Sequence, residues 1–232
     1  MLKVANPGTV TAVETTVDGH FLYSFFALGQ CIEGFKKCRP VIAMDATHLK
    51  GDLSGVIFVA AAEDGSDMIY PLAFGFAPGK TVTAWTWFLR MLRQAIGVRD
   101  DLLIVSDRGK SIPPAVRVVF PYIPHVVCYY HLRKNLLKFC SRRADVQGVI
   151  YKAAYTYSKE ECDSLLKSLE TSCPKVHNEL VKLGVKKWSR AYCPRRRYSL
   201  MTTNIAESLN KAILPACRLP ITSAHEFLRH LV

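Results

Sequence analysis

The sequence predicts a mixed α/β sheet followed by an all-helical insertion, and three observations lead there. Three apolar runs follow Pro40 with only short turns between them, the hydrophobic period then changes from strand-like to helical, and from 145 to about 187 the pattern is helical throughout. With 232 residues, 50% of them hydrophobic, the chain can bury one large core or two small ones.

Residues 1–39 read as an N-terminal lead-in of uncertain structure. Thr11 to Thr16 is polar and β-rich, Phe21 to Leu28 is strongly apolar, and Gly29 to Lys37 resembles the approach to a domain. The first part of a core spans 40–140. Val41 to Ala46, Gly55 to Ala62 and Met68 to Phe76 are strands, separated by turns at Lys50–Gly51 and Asp64–Gly65. Turns this short favour antiparallel neighbours, because a parallel return needs a crossover. Trp85, Phe88, Leu89, Leu92 and Ile96 recur at helical steps up to Gly97. Leu102 to Ser106 is then a strand lying parallel to a neighbour, since a helix crosses over before it. A short helix over Ser111 to Phe120, a strand over His125 to Tyr129 and a helix over Leu132 to Cys140 follow. Three antiparallel strands, a crossover helix and then parallel strands with helices is the order of a ribonuclease-H-like mixed sheet, shared in part by other α/β folds.

Residues 141–200 read as a helical insertion with a basic segment, its apolar faces forming three helices between Asp145 and Lys187. Residues 201–232 read as C-terminal helices that complete the core. One carries Ile205, Leu209, Ala212 and Ile213 and stops at Pro215; the other, from Thr222 to Leu231, runs to the end, so the natural protein is expected to continue.

Lys and Arg number 31 against 19 Asp and Glu, a formal charge of +12 that attracts a polyanion. Between Lys182 and Arg197 there is no acid, while Lys186, Lys187, Arg190, Arg195, Arg196 and Arg197 stand with Trp188, Tyr192 and Tyr198 among or beside them. Such a mix holds a phosphate backbone and stacks on exposed bases. Arg133 and Lys134 are further DNA-binding candidates. Eight cysteines at irregular spacings, no CxxC pair and no secretory signal point to a reducing cell interior rather than a disulfide scaffold. The longest apolar stretch, Leu53 to Ala62, is too short to cross a bilayer.

Two acids interrupt apolar strands. Asp45 follows Val41 to Met44, and Asp107 follows Leu102 to Ser106. A buried aspartate is costly unless paired, hydrogen-bonded or metal-bound, and the ends of strands in an α/β sheet are where ligands collect. On neighbouring strands the two make a candidate pair for a hard divalent ion. The alternatives are local: Asp45 capping the loop Thr47 to Lys50, and Asp107 capping its own turn in Ser106–Asp107–Arg108–Gly109. A third acid, Glu207, stands three residues after Asn204 at a helix start, where a capping box explains it equally well. If the three converge, two magnesium or manganese ions on them would serve in-line phosphoryl transfer. Lys50, Arg108 and Lys110 then become donors to the developing charge, or else solvated loop charges. Whether His48, His125 or His131 contacts a scissile phosphate is left open by element order.

The segments AMDATHLKG at 43–51, IYPLAFGFAPGKTVTAWTWFLRML at 69–92, IVSDRGKSIPPAVRVVFP at 104–121, HVVCYYHLRKNL at 125–136 and TTNIAESLNKAI at 202–213 resemble, in this order, the Mutator-like (MULE) transposases. The resemblance implies cut-and-paste DNA transposition by a nuclear protein with a ribonuclease-H-like core, catalytic acids at Asp45, Asp107 and Glu207, and an insertion between Cys140 and Asn204. It also implies double-stranded DNA, as transposon ends and target, for partner, with self-association as an option and no membrane. Cys128 and His131 match the family's Cys-x-x-His feature, which braces the active site or touches DNA. Read from the residues alone they are half of a zinc site, so a packed thiol and a hydrogen-bonded imidazole are expected, and zinc is not. The chain departs from the pattern at Phe76 to Lys80, where similar proteins carry an acid or amide, and it lacks the flanking zinc modules such proteins often have. A domesticated, catalytically silent DNA-binding or transcription-regulating protein is the alternative function.

Overall fold

The structure, a computed structural model, describes residues 6–51 and 54–232. The first five residues of the predicted lead-in, and Leu53 of the apolar stretch, lie outside the described residues. Among the described residues there are one seven-stranded mixed sheet and nine α-helices. The strands are β1 (Val10–Thr15), β2 (Phe21–Ala27), β3 (Val41–His48), β4 (Val56–Glu63), β5 (Ile69–Ala77), β6 (Leu103–Ser106) and β7 (His125–Val127), in the spatial order β1-β2-β5-β4-β3-β6-β7. All neighbours from β1 to β3 are antiparallel, and β6 and β7 run parallel to β3.

The lead-in is part of the sheet. β2 bonds β5, with Phe25 opposite Gly75 and Phe26 opposite Phe74, and β1 forms the outer edge. After β2 comes α1 (Gly29–Phe35), which buries Cys31 and Phe35. β4, VIFVAAAE, is buried along its whole length because both faces of the sheet are covered.

Two pairs of helices cover those faces. On one lie α2 (Val82–Ile96) and α3 (Ile112–Val119). The Thr81 side chain caps α2 by accepting the Ala84 N–H at 3.1 Å, and Gly97, at φ +70°, ends it. Its stripe of Trp85, Phe88, Leu89 and Leu92 sinks into the sheet, and Gly75 is what permits the approach: a Cβ there would lie 2.7 Å from the Phe88 ring. Next in the chain come α4 (Tyr129–Cys140), α5 (Ala144–Tyr155), α6 (Lys159–Ser172) and α7 (Pro174–Leu183), then α8 (Asn204–Ala212) and α9 (Ile221–Leu231). α8 and α9 cover the opposite face. Alternation along β3 sends Ile42, Met44 and Ala46 toward α2, and Val41 and Ala43 toward α8.

Helices α4 to α7 form a unit with its own core, in which Leu132, Leu136, Val146, Ile150, Leu169, Leu180 and Trp188 are buried. The sequence extends β7 to Tyr129 and starts the next helix at Leu132. In the structure the strand ends at Val127, Cys128 is the helix N-cap, and α4 already includes Tyr129. Tyr129, Leu132, Leu136 and Cys140 share one buried helical face, and the Tyr129 N–H leaves the sheet to bond the Met201 carbonyl at 2.8 Å. Among the described residues no helix is long and apolar enough to cross a membrane.

Candidate catalytic site

The parallel pairing of β3 and β6 runs from Val41 opposite Leu103 to Met44 opposite Ser106. The next residue on each strand is an aspartate, so backbone register alone brings Asp45 and Asp107 out side by side. Both line one cleft with Lys80, Trp85 and Ser111. Asp107 follows the last residue of β6, as expected. Asp45 is not at a strand end: β3 continues to His48, paired there with β4 only.

Asp45 does not cap the loop after it. One carboxylate oxygen accepts the neighbouring Ala46 N–H at 2.8 Å and the other accepts Asn210 Nδ2 at 2.7 Å. Burial raises its pKa; the Ala46 N–H and Lys80 pull the other way, and the negative charges of Asp107 and Glu207 add to the rise. Asp45 is thus near both other acids, but Glu207, unlike Asp107, is not among the residues that line the cleft. Asp107 does form its own turn, Oδ1 accepting the Gly109 N–H at 2.8 Å.

Glu207 lies in the first turn of α8, but the capping box with Asn204 is not made. The N-cap is Thr203, and Glu207 Oε1 accepts the Thr203 hydroxyl at 2.9 Å instead of a backbone N–H. Asn210 lies three residues on, on the same side of α8.

Cys128 and His131 meet Glu207 from α4. The Cys128 thiol is fully buried and accepts the Thr203 N–H at 3.2 Å. His131 Nδ1 is buried, lies 3.7 Å from Glu207 Oε1, and has no hydrogen-bond partner among the described residues. The packed thiol is as expected, whereas this nitrogen is not hydrogen-bonded.

The basic candidates divide. Lys134, Lys186, Lys187, Arg195 and Arg196 are exposed, as are Lys50 and Lys110, while Arg108 is half-buried. Lys50 borders a groove with Leu214, Pro215 and Arg218. Arg133 donates to Gln147 at 2.8 Å, and Arg190 lies over the Tyr155 and Tyr157 rings. Arg197 is not a surface residue. Only 2% exposed, it donates to the carbonyls of Val127, Met201, Trp188 and Leu200, closing the gap between the helical unit and the sheet. Trp188 is likewise withdrawn from any base, buried with its indole N–H on the Leu180 carbonyl at 3.1 Å.

Two site residues escape sequence reasoning. Lys80 stands at the departure from the family pattern and donates to the Ala46 carbonyl beside Asp45. Asn210 carries a weak signal, its three-residue spacing from Glu207 on a helix; its contact with Asp45 depends on how α8 packs.

His125 sits behind Asp107, with Nε2 2.8 Å from Ser106 Oγ. Burial lowers its pKa to about 4; Lys187 adds to the drop and Asp107 opposes it. Burial lowers His225 as well, against a hydrogen bond to the Ile221 carbonyl. A folded pKa below the unfolded value of about 6.5 means that unfolding takes up a proton between those values. Stability is therefore expected to fall as pH drops from about 6.5 toward 4, by at most roughly 1.4 kcal/mol per pH unit for His125. Urea unfolding at pH 7, 6 and 5 checks this, and His125→Asn is expected to flatten the slope.

The MULE transposase domain family matches residues 41–135. A transposase for insertion sequence element IS406 from Burkholderia multivorans is 24% identical over 192 residues, covering 75% of this chain and 48% of its own length. A probable insertion-sequence transposase from Corynebacterium diphtheriae is 25% identical, over 77% of this chain and 56% of its own. The transposase for insertion sequence element IS905 from Lactococcus lactis is 23% identical, over 75% and 46%. The chain thus spans about half the length of these curated relatives. Residues 41–135, the stretch that the MULE transposase domain family matches, carry both aspartates and the Cys128–His131 pair.

Proposed function

We propose that this chain is the catalytic domain of a DNA transposase, with a ribonuclease-H-like core in which Asp45, Asp107 and Glu207 hold two magnesium or manganese ions for DNA cleavage and strand transfer. The observation that carries this reading is the pair of aspartates at equivalent positions of parallel β3 and β6, in one cleft, with the charge of Glu207 felt at Asp45. Strand order supports the fold: β3, β4 and β5 are antiparallel, α2 crosses over, and β6 and β7 return parallel to β3.

The residues fit cations. Asp45 and Asp107 line one cleft with Lys80 as an opposing charge on Asp45, the charge of Glu207 also acts on Asp45, and the Asn210 side-chain oxygen beside Asp45 is buried without a hydrogen-bond partner among the described residues. When bound, the ions supply activation of a water or a 3′-hydroxyl and neutralisation of charge on the phosphodiester. The chain's own groups prepare the site. Asn210 and the Ala46 N–H hold the Asp45 carboxylate, and the Gly109 N–H holds that of Asp107. Lys80, Arg108 and Lys110 are donors for a phosphoryl oxygen. Exposed Lys134, Lys186, Lys187, Arg195 and Arg196 are suited to the phosphate backbone of duplex DNA.

The test is nicking of duplex DNA ends in magnesium by the wild type and by Asp107→Asn, with binding to the same duplex measured alongside. Cleavage by the wild type alone, with binding kept by both, is the expected result. Equal cleavage removes the assignment of Asp107, and binding without cleavage in the wild type favours the catalytically silent reading.

A further inference from the structure

Cys128 and His131 are too few ligands for zinc when counted along the sequence, but the fold adds a third. Cys128 Sγ, a His131 ring nitrogen and a Glu207 carboxylate oxygen all lie within 4.8 Å of one another. We propose that Cys128, His131 and Glu207 bind zinc, as three protein ligands with the fourth position open to water. The proposal stands whether or not the chain cleaves DNA.

The donor set is the first argument. Thiolate, imidazole and carboxylate are the ligands zinc takes, and three of them with a water is its usual open coordination. The surroundings are the second. Thr203 orients two of the donors at once, its N–H on Cys128 Sγ at 3.2 Å and its hydroxyl on Glu207 Oε1 at 2.9 Å. Hydrogen bonds of this kind from outside the ligand set fix a metal's ligands. The third argument is the buried His131 Nδ1, which has no hydrogen-bond partner among the described residues. A buried polar atom left so calls for a reason, and a metal's demand for its lone pair is one.

Access is also provided. Cys128 is fully buried, but the side chains of His131 and Glu207 are 30% and 29% exposed and open one side of the cluster to solvent. On binding, the Cys128 thiol loses its proton to solvent. The ion would tie α4, the first helix of the helical unit, to α8, which also presents Asn210 to Asp45. Glu207 has a second carboxylate oxygen, so ligation through one leaves the other for the aspartate side.

The test is a cobalt(II) titration of the chain, with zinc then used to displace the cobalt. One equivalent should bind with thiolate-to-cobalt charge-transfer absorption, which Cys128→Ser abolishes. Affinity should drop about 10- to 100-fold or more in His131→Ala and Glu207→Gln. Cys173→Ser, at a partly exposed thiol outside the cluster, should keep the band, and cobalt held by carboxylates alone gives no thiolate band, so that this site and the cleavage site are read separately. A wild type without the charge-transfer band, or a band that survives Cys128→Ser, overturns the site. X-ray absorption at the zinc edge needs no variant: one sulfur at about 2.3 Å with nitrogen and oxygen at about 2.0–2.2 Å is expected, and a shell without sulfur overturns the proposal.

Discussion

Asp45→Asn is expected to make the metal-free chain more stable while lowering divalent-metal-dependent DNA cleavage by about 10³-fold or more. The two effects have one origin. In the fold the Asp45 carboxyl is desolvated and faces the charges of Asp107 and Glu207, which together raise its pKa despite the Ala46 N–H and Lys80. A carboxyl whose folded pKa lies above its unfolded value stabilises the fold below the unfolded pKa, and that contribution is lost as pH rises through the folded one. At neutral pH the anion therefore opposes folding, and an amide of the same shape relieves this. The amide oxygen keeps the Ala46 N–H, and the amide nitrogen donates to Asn210 once that side chain turns its unpartnered oxygen toward it. A divalent cation relieves the same repulsion by binding the native state, so magnesium should raise the melting temperature of the wild type and leave that of the variant almost unchanged. Thermal melts with chelator and with magnesium measure both effects, and a variant less stable than the wild type in chelator would refute the account.

Arg197→Ala is expected to destabilise the fold by about 3 kcal/mol or more, because several buried carbonyls lose their donor together. Those carbonyls belong to Val127 at the end of β7, to Trp188, and to Leu200 and Met201 leading into α8. The guanidinium makes these bonds without water, and burial lowers its pKa to about 10 while leaving it charged at neutral pH. The neighbouring pair behaves differently. Arg195 and Arg196 are exposed, so replacing both with Ala should change stability by no more than about 0.5 kcal/mol. Their loss should instead weaken DNA binding and reduce its salt dependence, by about 0.9 in the log–log slope for each phosphate contact removed. Urea unfolding separates the cases: an unchanged midpoint for Arg197→Ala would return that residue to the DNA-binding surface.

Three adjacent arginines thus divide in a way no local pattern reveals. Composition marks the segment as basic, but which side chain turns inward depends on carbonyls contributed by β7 and by the chain before α8. Trp188 makes the same point, since an aromatic among basic residues reads as a base-stacking platform until the core of the helical unit closes over it. The lead-in shows the converse. Phe21 to Ala27 carries enough apolar residues for a strand, yet its partner is β5, some fifty residues on, and nothing nearby announces that pairing.

What the sequence determined by itself was whatever short-range periodicity encodes. The strands β3 to β7, the helices α2 to α9 and the placement of Asp45 and Asp107 behind runs of apolar strand residues follow from alternation, helical steps and turn residues within a window of ten or so positions. Tertiary structure alone decided the convergences. Parallel register set the two aspartates side by side, the packing of α8 brought Asn210 to Asp45 and Glu207 to His131, and the α4–α8 junction gave Cys128 and His131 a third potential ligand. Each depends on residues far apart in the chain, whose side chains meet only after apolar burial has fixed how helices and sheet pack.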